Sequence, residues 1–244
     1  MPRFFVTQDC LQGKFAVLTG DAASHAKVLR LKQGDTVTLC CGDGTDRICT
    51  VSDISPMQVS LVIAREEPSS TEPKVRCSVY LAFPKADKLE HVVQKATELG
   101  AAEIVAFPSE RCVSRPDEKS LGKKLERWQK IAASAAEQSG RGMIPTVRAV
   151  GSFREAVREA AQTDLGVFLY ENEEQFSFRQ AVGNGSLTTA ALMTGPEGGF
   201  TAEEVTLAKE AGLQICTLGP RILRCETAPL CALTALMFAC GELD

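Results

Sequence analysis

The chain has 244 residues, of which 44% are hydrophobic and 24% are charged, a composition typical of a soluble globular protein with one large or two modest domains. No run approaches the roughly 20 consecutive apolar residues of a membrane-spanning helix, and the opening MPRFFVTQDC carries charge too early for a secretory signal, so we expect a cytoplasmic protein. The net charge of −4 argues against a uniformly basic surface for nucleic acid but leaves room for a local one.

The amino-terminal part predicts short strands separated by turns. β-branched or alternating apolar residues occupy positions 3–6, 14–20, 35–40, 47–54 and 58–64. One helix is predicted around residues 24–31, with Asp21 or Ser24 as its capping residue. Such a set of strands closes most naturally into a small β-barrel. The Pro- and Ser-rich residues 67–74 predict a linker, so the sequence divides into domains 1–70 and 71–244.

From residue 75 onward, strands and helices alternate. The predicted strands are 75–83, 102–107, 164–170, 187–195 and 214–219, and the predicted helices are 87–100, 121–140, 153–162, 201–212 and 227–241. Thr201 and Glu204 form a capping-box pattern at the start of one helix. This alternation predicts an α/β fold with a mostly parallel sheet that is covered on both faces.

The ten cysteines and two histidines do not suggest a metal site. No two cysteines have C-x-x-C spacing, and His25 and His91 are far apart in the sequence. Zinc sites need clustered ligands, so we expect no metal. Most of the thiols are expected to be reduced and buried. The shortage of histidine also argues against a Ser-His or Cys-His nucleophile.

Two loops at the carboxyl ends of predicted strands carry the chemistry. The first is 193–200, MTGPEGGF, whose three glycines let a ligand approach the backbone closely. The second is 218–229, LGPRILRCETAP, which places Arg224 and Glu226 before the last helix. Taken alone, the first loop could be a tight turn without a ligand. Taken alone, Glu226 of the second loop could simply interact with the N-terminus of the last helix. Together in one α/β domain, they favour a ligand site.

Charge is unevenly distributed along the chain. Residues 71–154 carry 15 basic and 10 acidic side chains, whereas residues 155–244 carry 5 basic and 13 acidic ones. The middle segment contains a basic cluster that could bind a polyanion or could be the solvated face of a helix: Arg111, Arg115, Lys119, Lys123, Lys124, Arg127 and Lys130.

Four strings resemble those of the bacterial 16S ribosomal RNA uridine-N3 methyltransferases: TGPEGGF, LGPRILRCETAP, PKADKLEHVVQKATELG and AAEQSGR. That family belongs to the SPOUT class, whose α/β catalytic domain ends in a trefoil knot, and HAKVLRLKQGD resembles its PUA-like RNA-binding domain. The resemblance covers nearly the whole chain. Cys225 departs from it, since a small residue or Thr is expected there.

The resemblance implies S-adenosylmethionine as cofactor and a homodimer with its active site near the subunit interface. The cofactor would be bent and held mainly by backbone atoms of Leu169, Tyr170, Glu171, Thr194, Gly195, Pro196, Glu197, Gly198, Gly199, Leu218, Gly219, Ile222, Leu223, Thr227 and Ala228.

The chemistry of uridine N3 suggests catalytic roles for three residues. The imide proton must leave N3, and negative charge then spreads onto the flanking carbonyl oxygens. A guanidinium stabilises such charge and cannot act as a base, so we expect Arg224 to play this part. Glu226 or Glu197 would orient Arg224 or receive the proton.

The expected partner is small-subunit ribosomal RNA or the assembled 30S particle. Candidate contacts to its phosphates are Arg3, Lys27, Arg30, Lys32, Arg111, Arg115 and Arg141. Two alternatives remain open: a ribose 2′-O-methyltransferase of the same fold, and a non-catalytic RNA-binding assembly factor. A metal-dependent nuclease would need a carboxylate cluster that the sequence does not offer.

Overall fold

The computed structural model describes residues 1–184 and 187–243. Internal contacts divide the chain into two units, one formed by Met1–Glu72 and Ala136–Ile144 and the other by Pro73–Ala135 and Pro145–Asp244. Each unit contains one six-stranded sheet. Within the described ranges, none of the helices has the length and apolarity to span a bilayer.

The first unit is a mostly antiparallel sheet with one helix. Its elements are β1 (Arg3–Phe5), a 3-10 turn (Gln8–Cys10), β2 (Leu11–Gln12), β3 (Phe15–Thr19), α1 (Gly20–Val28), β4 (Thr36–Cys40), β5 (Thr45–Ile54) and β6 (Gln58–Pro68). The strand order is β1-β4-β5-β6-β3-β2, and only β1 and β4 run parallel. Two register shifts between β5 and β6 bend these long strands around the core.

The apolar side chains of these strands form the core of the first unit. Phe4, Leu18, Leu39 and Leu61 are almost fully buried and belong to one hydrophobic cluster. Closure into a barrel is not seen: in the described ladder β1 and β2 are the two edges of the sheet. The fold is therefore a bent open sheet, in which bulges provide the curvature that the barrel prediction attributed to closure.

Two predicted boundaries in this unit are wrong. Helix α1 begins at Gly20 after Thr19, because Gly20 has a positive φ of 55° and turns the chain directly out of β3. Asp21 and Ser24 therefore lie inside the helix, and the Ser24 hydroxyl donates to the Gly20 carbonyl instead of capping. Strand β6 continues through Pro68 because its end pairs with the start of β5, so the linker begins at residue 69.

The second unit is the predicted parallel α/β sheet. Its elements in chain order are β7 (Arg76–Ala82), α2 (Lys88–Glu98), β8 (Glu103–Phe107), α3 (Glu118–Ser139, up to Ala135 in this unit), β9 (Thr146–Ala149), α4 (Phe153–Ala160), β10 (Leu165–Leu169), α5 (Phe178–Val182), β11 (Thr189–Thr194), α6 (Ala202–Glu210), β12 (Gln214–Cys216) and α7 (Ala228–Ala239). The sequence did not predict β9 or α5, which are too short for a periodic signal.

All strand pairs of this sheet are parallel, in the order β12-β10-β11-β7-β8-β9. Val79, Leu81, Phe168 and Leu192 are fully buried, as expected for strands covered on both faces. Four consecutive neighbours, β12, β10, β11 and β7, end at the same edge of the sheet. The loops that follow these strands therefore meet there, although they are distant in sequence.

Candidate active site

A cavity of about 870 Å³ opens at the carboxyl edge of the sheet. The loops that follow β10, β11 and β12 line it, and one side chain comes from the start of α2. The lining residues are Lys88, Leu169, Tyr170, Glu171, Glu173, Glu174, Thr194, Gly195, Pro196, Glu197, Gly198, Gly199, Cys216, Thr217, Leu218, Gly219, Pro220, Arg221, Ile222, Leu223, Arg224, Cys225 and Ala228. The two loops singled out in the sequence thus face one space.

The glycine loop, residues 194–199, is fixed at both ends. At its start, the Thr194 hydroxyl donates to the Tyr80 carbonyl over 3.2 Å. At its end, buried Phe200 packs on Phe168 with ring centroids 4.1 Å apart. The predicted capping box of Thr201 with Glu204 is present and starts α6. The loop is therefore a rigid wall of the cavity.

Gly199 allows the tightest approach within this wall. Its φ is +65°, and its N–H donates to the Pro196 carbonyl over 3.0 Å. A methyl group at this position would overlap the carboxylate of Glu171 from the β10 loop. Glycine is thus required both by the turn conformation and by the neighbouring loop.

The loop after β10, residues 170–177, is tied to the end of β12 by main-chain hydrogen bonds. Thr217 donates its N–H to the Phe176 carbonyl over 3.0 Å, and Phe178 donates to the Thr217 carbonyl over 2.9 Å. The Glu173 carboxylate accepts the N–H groups of Gln175 and Phe176, and these hydrogen bonds lower its pKa. The turn after β10 is therefore stabilised by hydrogen bonds to the side chain of Glu173, one of its own residues.

The arginine loop, residues 218–226, presents Arg224 to solvent at the cavity. The Arg224 carbonyl accepts from the N–H groups of Thr227 and Ala228, both over 2.9 Å. Its guanidinium has no hydrogen-bond or ion-pair partner among residues 1–184 and 187–243, and the residue is exposed. Of the predicted cofactor residues, Thr227 alone does not line the cavity, because it has turned outward at the helix N-cap.

The two predicted catalytic carboxylates do not contact Arg224. Both bind Lys88 instead: its Nζ lies 2.9 Å from Glu197 Oε1 and 3.2 Å from Glu226 Oε2. The Cys225 thiol donates to the same Glu226 oxygen over 3.2 Å. The structure thus pairs both carboxylates with the Lys88 ammonium, and the expectation that Glu226 or Glu197 orients Arg224 or receives the proton stays a prediction.

This cluster shifts the pKa values of its members. Burial acts to raise the pKa of Glu197, but hydrogen bonds from Lys88 and from the Lys85 N–H outweigh it and leave the pKa below its usual range. Burial likewise acts to raise the pKa of Glu226, and hydrogen bonds from its own N–H, Cys225 and Lys88 bring it below the usual range. Burial and the Glu226 carboxylate raise the pKa of Cys225 to about 12. Both carboxylates are therefore ionised and the thiol is neutral near pH 7.

The predicted RNA contacts separate into two groups. Arg3 is nearly buried and bonds both oxygens of Asp46 at 2.7 and 2.6 Å. Arg141 is 4% exposed and pairs with Glu72 at 2.5 Å. Both predictions of a phosphate contact are wrong, because the unit's own carboxylates already hold these guanidinium groups.

Arg111 and Arg115 are exposed but serve the loop after β8. Arg111 donates to the Gly198 carbonyl over 3.0 Å and so supports the glycine loop. Arg115 donates to the carbonyls of Ser109 and Glu110 at 3.0 and 2.8 Å. Each guanidinium keeps donor groups beyond those bonds, so contact with a phosphate stays a prediction.

Lys27, Arg30 and Lys32 are all exposed at the end of α1. The Lys27 ammonium donates to the Pro56 carbonyl in the turn between β5 and β6. Arg30 has a φ of 56°, a left-handed conformation at a position where helices usually end with glycine. Such strain in a non-glycine residue often accompanies a function of its side chain.

Several cavity residues were missed in the sequence. Lys88 is the most important of these, and the signal for it was available, since every loop at this edge of a parallel sheet can contribute a side chain. Glu173, Glu174 and Cys216 extend segments that were already predicted. No group of three or more His, Cys, Asp or Glu suited to a metal occurs among the described residues.

Comparison with known proteins places the chain in a family. A family profile described as an RNA methyltransferase domain matches residues 71–237, and one described as an RNA methyltransferase PUA domain matches residues 18–64. The ribosomal RNA small subunit methyltransferase E of Bacillus subtilis is 36% identical, over 98% of this chain and 96% of that protein. The chain belongs to this RNA methyltransferase family.

Two solved structures of relatives contain a ligand. A ribosomal RNA small subunit methyltransferase E from Neisseria gonorrhoeae, bound to S-adenosyl methionine, is 32% identical and has a TM-score of 0.85 over 98% of this chain and 97% of its own. A Legionella pneumophila protein in complex with the bound cofactor SAM is 32% identical and has a TM-score of 0.86 over 97% of both chains. At these identities the likeness extends to the family as well as the fold.

Proposed function

We propose that this protein uses S-adenosylmethionine to methylate N3 of a specific uridine in 16S ribosomal RNA. The observation that carries the proposal is that three loops from adjacent parallel strands enclose one cavity, with the Arg224 guanidinium exposed and unpaired among the described residues at its rim. The family profile and the names of the relatives support the reaction class. The base and the atom that are modified rest on the resemblance of the loops.

The cavity suits this cofactor in size and chemistry. A volume of about 870 Å³ lies within the usual range of roughly 300–1,000 Å³ for small-molecule sites. Leu169, Leu218 and Leu223 provide apolar surface for a purine, and Glu171 has no hydrogen-bond partner among the described residues. An unpaired carboxylate suits a ligand that carries ammonium and sulfonium groups. Backbone groups of Thr194–Gly199 and Leu218–Leu223 complete the expected contacts.

S-adenosylmethionine supplies an electrophilic methyl group when bound. The chain's own task is to position the uracil and to stabilise it as N3 loses its proton. We assign the stabilisation to Arg224, whose fixed positive charge would face the negative charge that develops on the uracil carbonyls. Because the guanidinium forms no internal ion pair among the described residues, none has to be broken before RNA binds.

The carboxylates play a smaller chemical part in this proposal. Glu226 lies two residues from Arg224 and is ionised near pH 7, so it is able to accept the N3 proton. Its lowered pKa makes it a weak base, and proton acceptance therefore contributes less than positioning and electrostatic stabilisation. Glu197 accepts from Lys85 and Lys88, which supports a role in shaping the cavity.

Phosphate contacts are proposed for the predicted amino-terminal domain, residues 1–70, acting as a PUA-like RNA-binding domain. Lys27, Arg30 and Lys32 are exposed on it together, and the strained backbone of Arg30 supports a functional side chain. Arg111 and Arg115 are proposed as contacts in the catalytic domain, residues 71–244. Affinity for RNA should fall steeply with salt, because each neutralised phosphate releases counterions.

A homodimer is also part of the proposal. Apart from Thr234, helix α7 is apolar around its surface, and Cys231, Ala235 and Phe238 form an exposed stripe on it, Phe238 being 70% exposed. A helix that is hydrophobic all round is normally buried, which supports a second copy of the chain as its cover. Sedimentation at micromolar concentration tests this: a dimer is expected, and a monomer would contradict it.

The trefoil knot and the cytoplasmic location complete the expectations from the resemblance. In the sheet, β12 is next to β10 on one side and β11 is next to β10 on the other. Helix α7 follows β12 in the chain but packs against β11, β7 and α2, so the chain crosses back past β10. This return path supports a knotted C-terminal segment. A ribosomal RNA substrate requires a cytoplasmic enzyme in bacteria.

The deciding experiment combines Arg224→Ala with mapping of the modified nucleotide. 30S particles from a strain lacking the gene are incubated with the protein and labelled cofactor, and digested RNA is analysed by mass spectrometry. The wild type should yield N3-methyluridine, whereas Arg224→Ala should lose about 100-fold or more in rate with little change in cofactor affinity. Arg154→Ala, an exposed arginine on α4 outside the cavity, is the matched control.

Two results would contradict the proposed reaction, and a third would contradict the role of Arg224. Methylation of a ribose in place of the base would favour the 2′-O-methyltransferase. If the protein binds the 30S particle without the cofactor and transfers no methyl group to its RNA, the non-catalytic assembly factor would be favoured. Near-normal turnover of Arg224→Ala would remove that residue from catalysis while leaving the overall activity intact.

A further inference from the structure

The start of helix α2 contributes the Lys88 side chain to the lining of the cavity. The loop between β7 and α2 contains Ala86, whose φ of 53° is a left-handed conformation that costs an alanine side chain energy. The Glu197 carboxylate holds the chain on both sides of it: Oε1 accepts the Lys85 N–H over 3.0 Å and the Lys88 ammonium over 2.9 Å. A strained turn is therefore kept in place by a residue of the glycine loop.

Lys88 then connects this turn to the arginine loop. Its Nζ is 3.2 Å from Glu226 Oε2 and 3.7 Å from the Cys225 thiol. One ammonium thus joins segments that are more than a hundred residues apart in sequence. No other ion pair among the described residues joins the glycine loop to the arginine loop.

The charges make this contact necessary. Glu197 and Glu226 each place one oxygen close to the same nitrogen, so without the ammonium two carboxylates would face each other across the cavity edge. Like charges at such a separation repel, and one of them would take up a proton or move away. Either response would change the distance between the two loops that line the cavity.

We propose that Lys88 is a positioning residue, which holds the glycine loop and the arginine loop at the separation that S-adenosylmethionine requires. This inference rests on the proposed function, because it assumes that both loops bind that cofactor. Lys88 acts through Glu197 and Glu226 and takes no part in proton transfer. Its charge, rather than its bulk, is the property that matters.

Three variants test this by calorimetric titration with S-adenosylmethionine in the absence of RNA. Lys88→Met removes the charge and should raise the Kd by at least about tenfold, the factor that corresponds to about 1.4 kcal/mol. Lys88→Arg keeps the charge and should stay within about threefold of the wild type. Lys95→Met is the control, since this lysine lies on the same helix, forms its one ion pair among the described residues with Glu98 and does not line the cavity.

The pH dependence of binding distinguishes a charge effect from a loss of packing. The charged or titratable groups in contact with Lys88 are Glu197, Glu226 and Cys225. In Lys88→Met, the two carboxylates lose their cation, so their pKa values should rise. Cofactor affinity should then recover in part as the pH is lowered from about 7.5 to about 5, because a protonated carboxyl group no longer repels its neighbour, whereas the wild type should stay flat over this interval.

The outcomes separate clearly. Wild-type affinity in Lys88→Met would overturn the inference, and so would Lys88→Arg binding as weakly as Lys88→Met. If Lys88→Met fails to unfold cooperatively, Lys88→Gln, which keeps a polar group without the charge, replaces it with the same expected loss. If the wild type binds the cofactor but does not methylate 16S ribosomal RNA, the proposed function fails while the Lys88 measurements stand.

Discussion

Replacing Gly199 by alanine tests whether the contact between the glycine loop and the β10 loop serves cofactor binding. Gly199 has a φ of +65°, and the left-handed region costs a non-glycine residue about 1–2 kcal/mol. The added methyl group would also overlap the Glu171 carboxylate. Because the Glu171 side chain is exposed, it can move aside at little cost to stability, but it then leaves its place at the cavity.

Gly212→Ala is the matched control for backbone strain. Gly212 has a φ of +96° after the end of α6, and nothing lies within 4 Å of a Cβ built there. We expect both variants to lose about 1–2 kcal/mol in the free energy of unfolding, measured by urea denaturation. Only Gly199→Ala should also lose cofactor affinity, because a hydrogen bond to a charged group is worth about 1.5–3 kcal/mol.

In terms of Kd, that loss is about tenfold or more. Isothermal titration with S-adenosylmethionine measures it directly for both proteins. Equal affinities in Gly199→Ala and Gly212→Ala would refute the role of Glu171. An undiminished unfolding free energy in Gly212→Ala would refute the strain argument itself.

Three further predictions concern charge and burial. Arg141→Met breaks a buried ion pair and should lower the free energy of unfolding by about 3–5 kcal/mol; a stable variant with selectively weaker RNA binding would contradict the structural role. The pKa values of Glu197 and Glu226 are lowered in the folded protein. The ionised carboxylates therefore stabilise the folded state fully above the ordinary glutamate pKa of about 4.3. This stabilisation is lost only as the pH falls through the lower folded-state pKa values. Cofactor titrations should therefore show no midpoint above about pH 5. Iodoacetamide should label Cys225 slowly in the native protein and quickly after unfolding in urea, since burial raises the pKa of Cys225 to about 12; peptide mass spectrometry showing equal rates in the two states would argue against the buried site.

The sequence predicted the second unit well because its signals are local and repeated. Strands such as 102–107 are short runs in which all residues but Glu103 are apolar, and helices such as 87–100 have apolar residues at helical spacing. Thr201 and Glu204 mark a helix start within four residues, and the structure confirms both their side-chain hydrogen bonds. Patterns of this kind need no knowledge of the rest of the chain.

Contacts that depend on strand order were not predictable in the same way. The pairing of Arg141 with Glu72 and of Lys88 with Glu226 joins residues far apart in sequence, and no periodicity specifies either. Arg141 was assigned to RNA because an arginine in a basic segment has the same sequence signature whether it is buried or exposed. Strand β9, four residues long, likewise has too little pattern to be distinguished from a loop.

The position of β10 between β11 and β12 explains why the two loops named from the sequence form one site. In chain order, β10 comes before both, and a simple progression across the sheet would have placed β12 beyond β11, away from β10. The observed order, β12-β10-β11-β7, instead brings the β12 loop to one side of the β10 loop and the glycine loop to the other. The Lys88 ammonium, at the start of the helix after β7, then contacts both Glu197 and Glu226. The site is thus a property of the crossing order of the strands, which is why residue types alone identified its loops but not the cation that joins them.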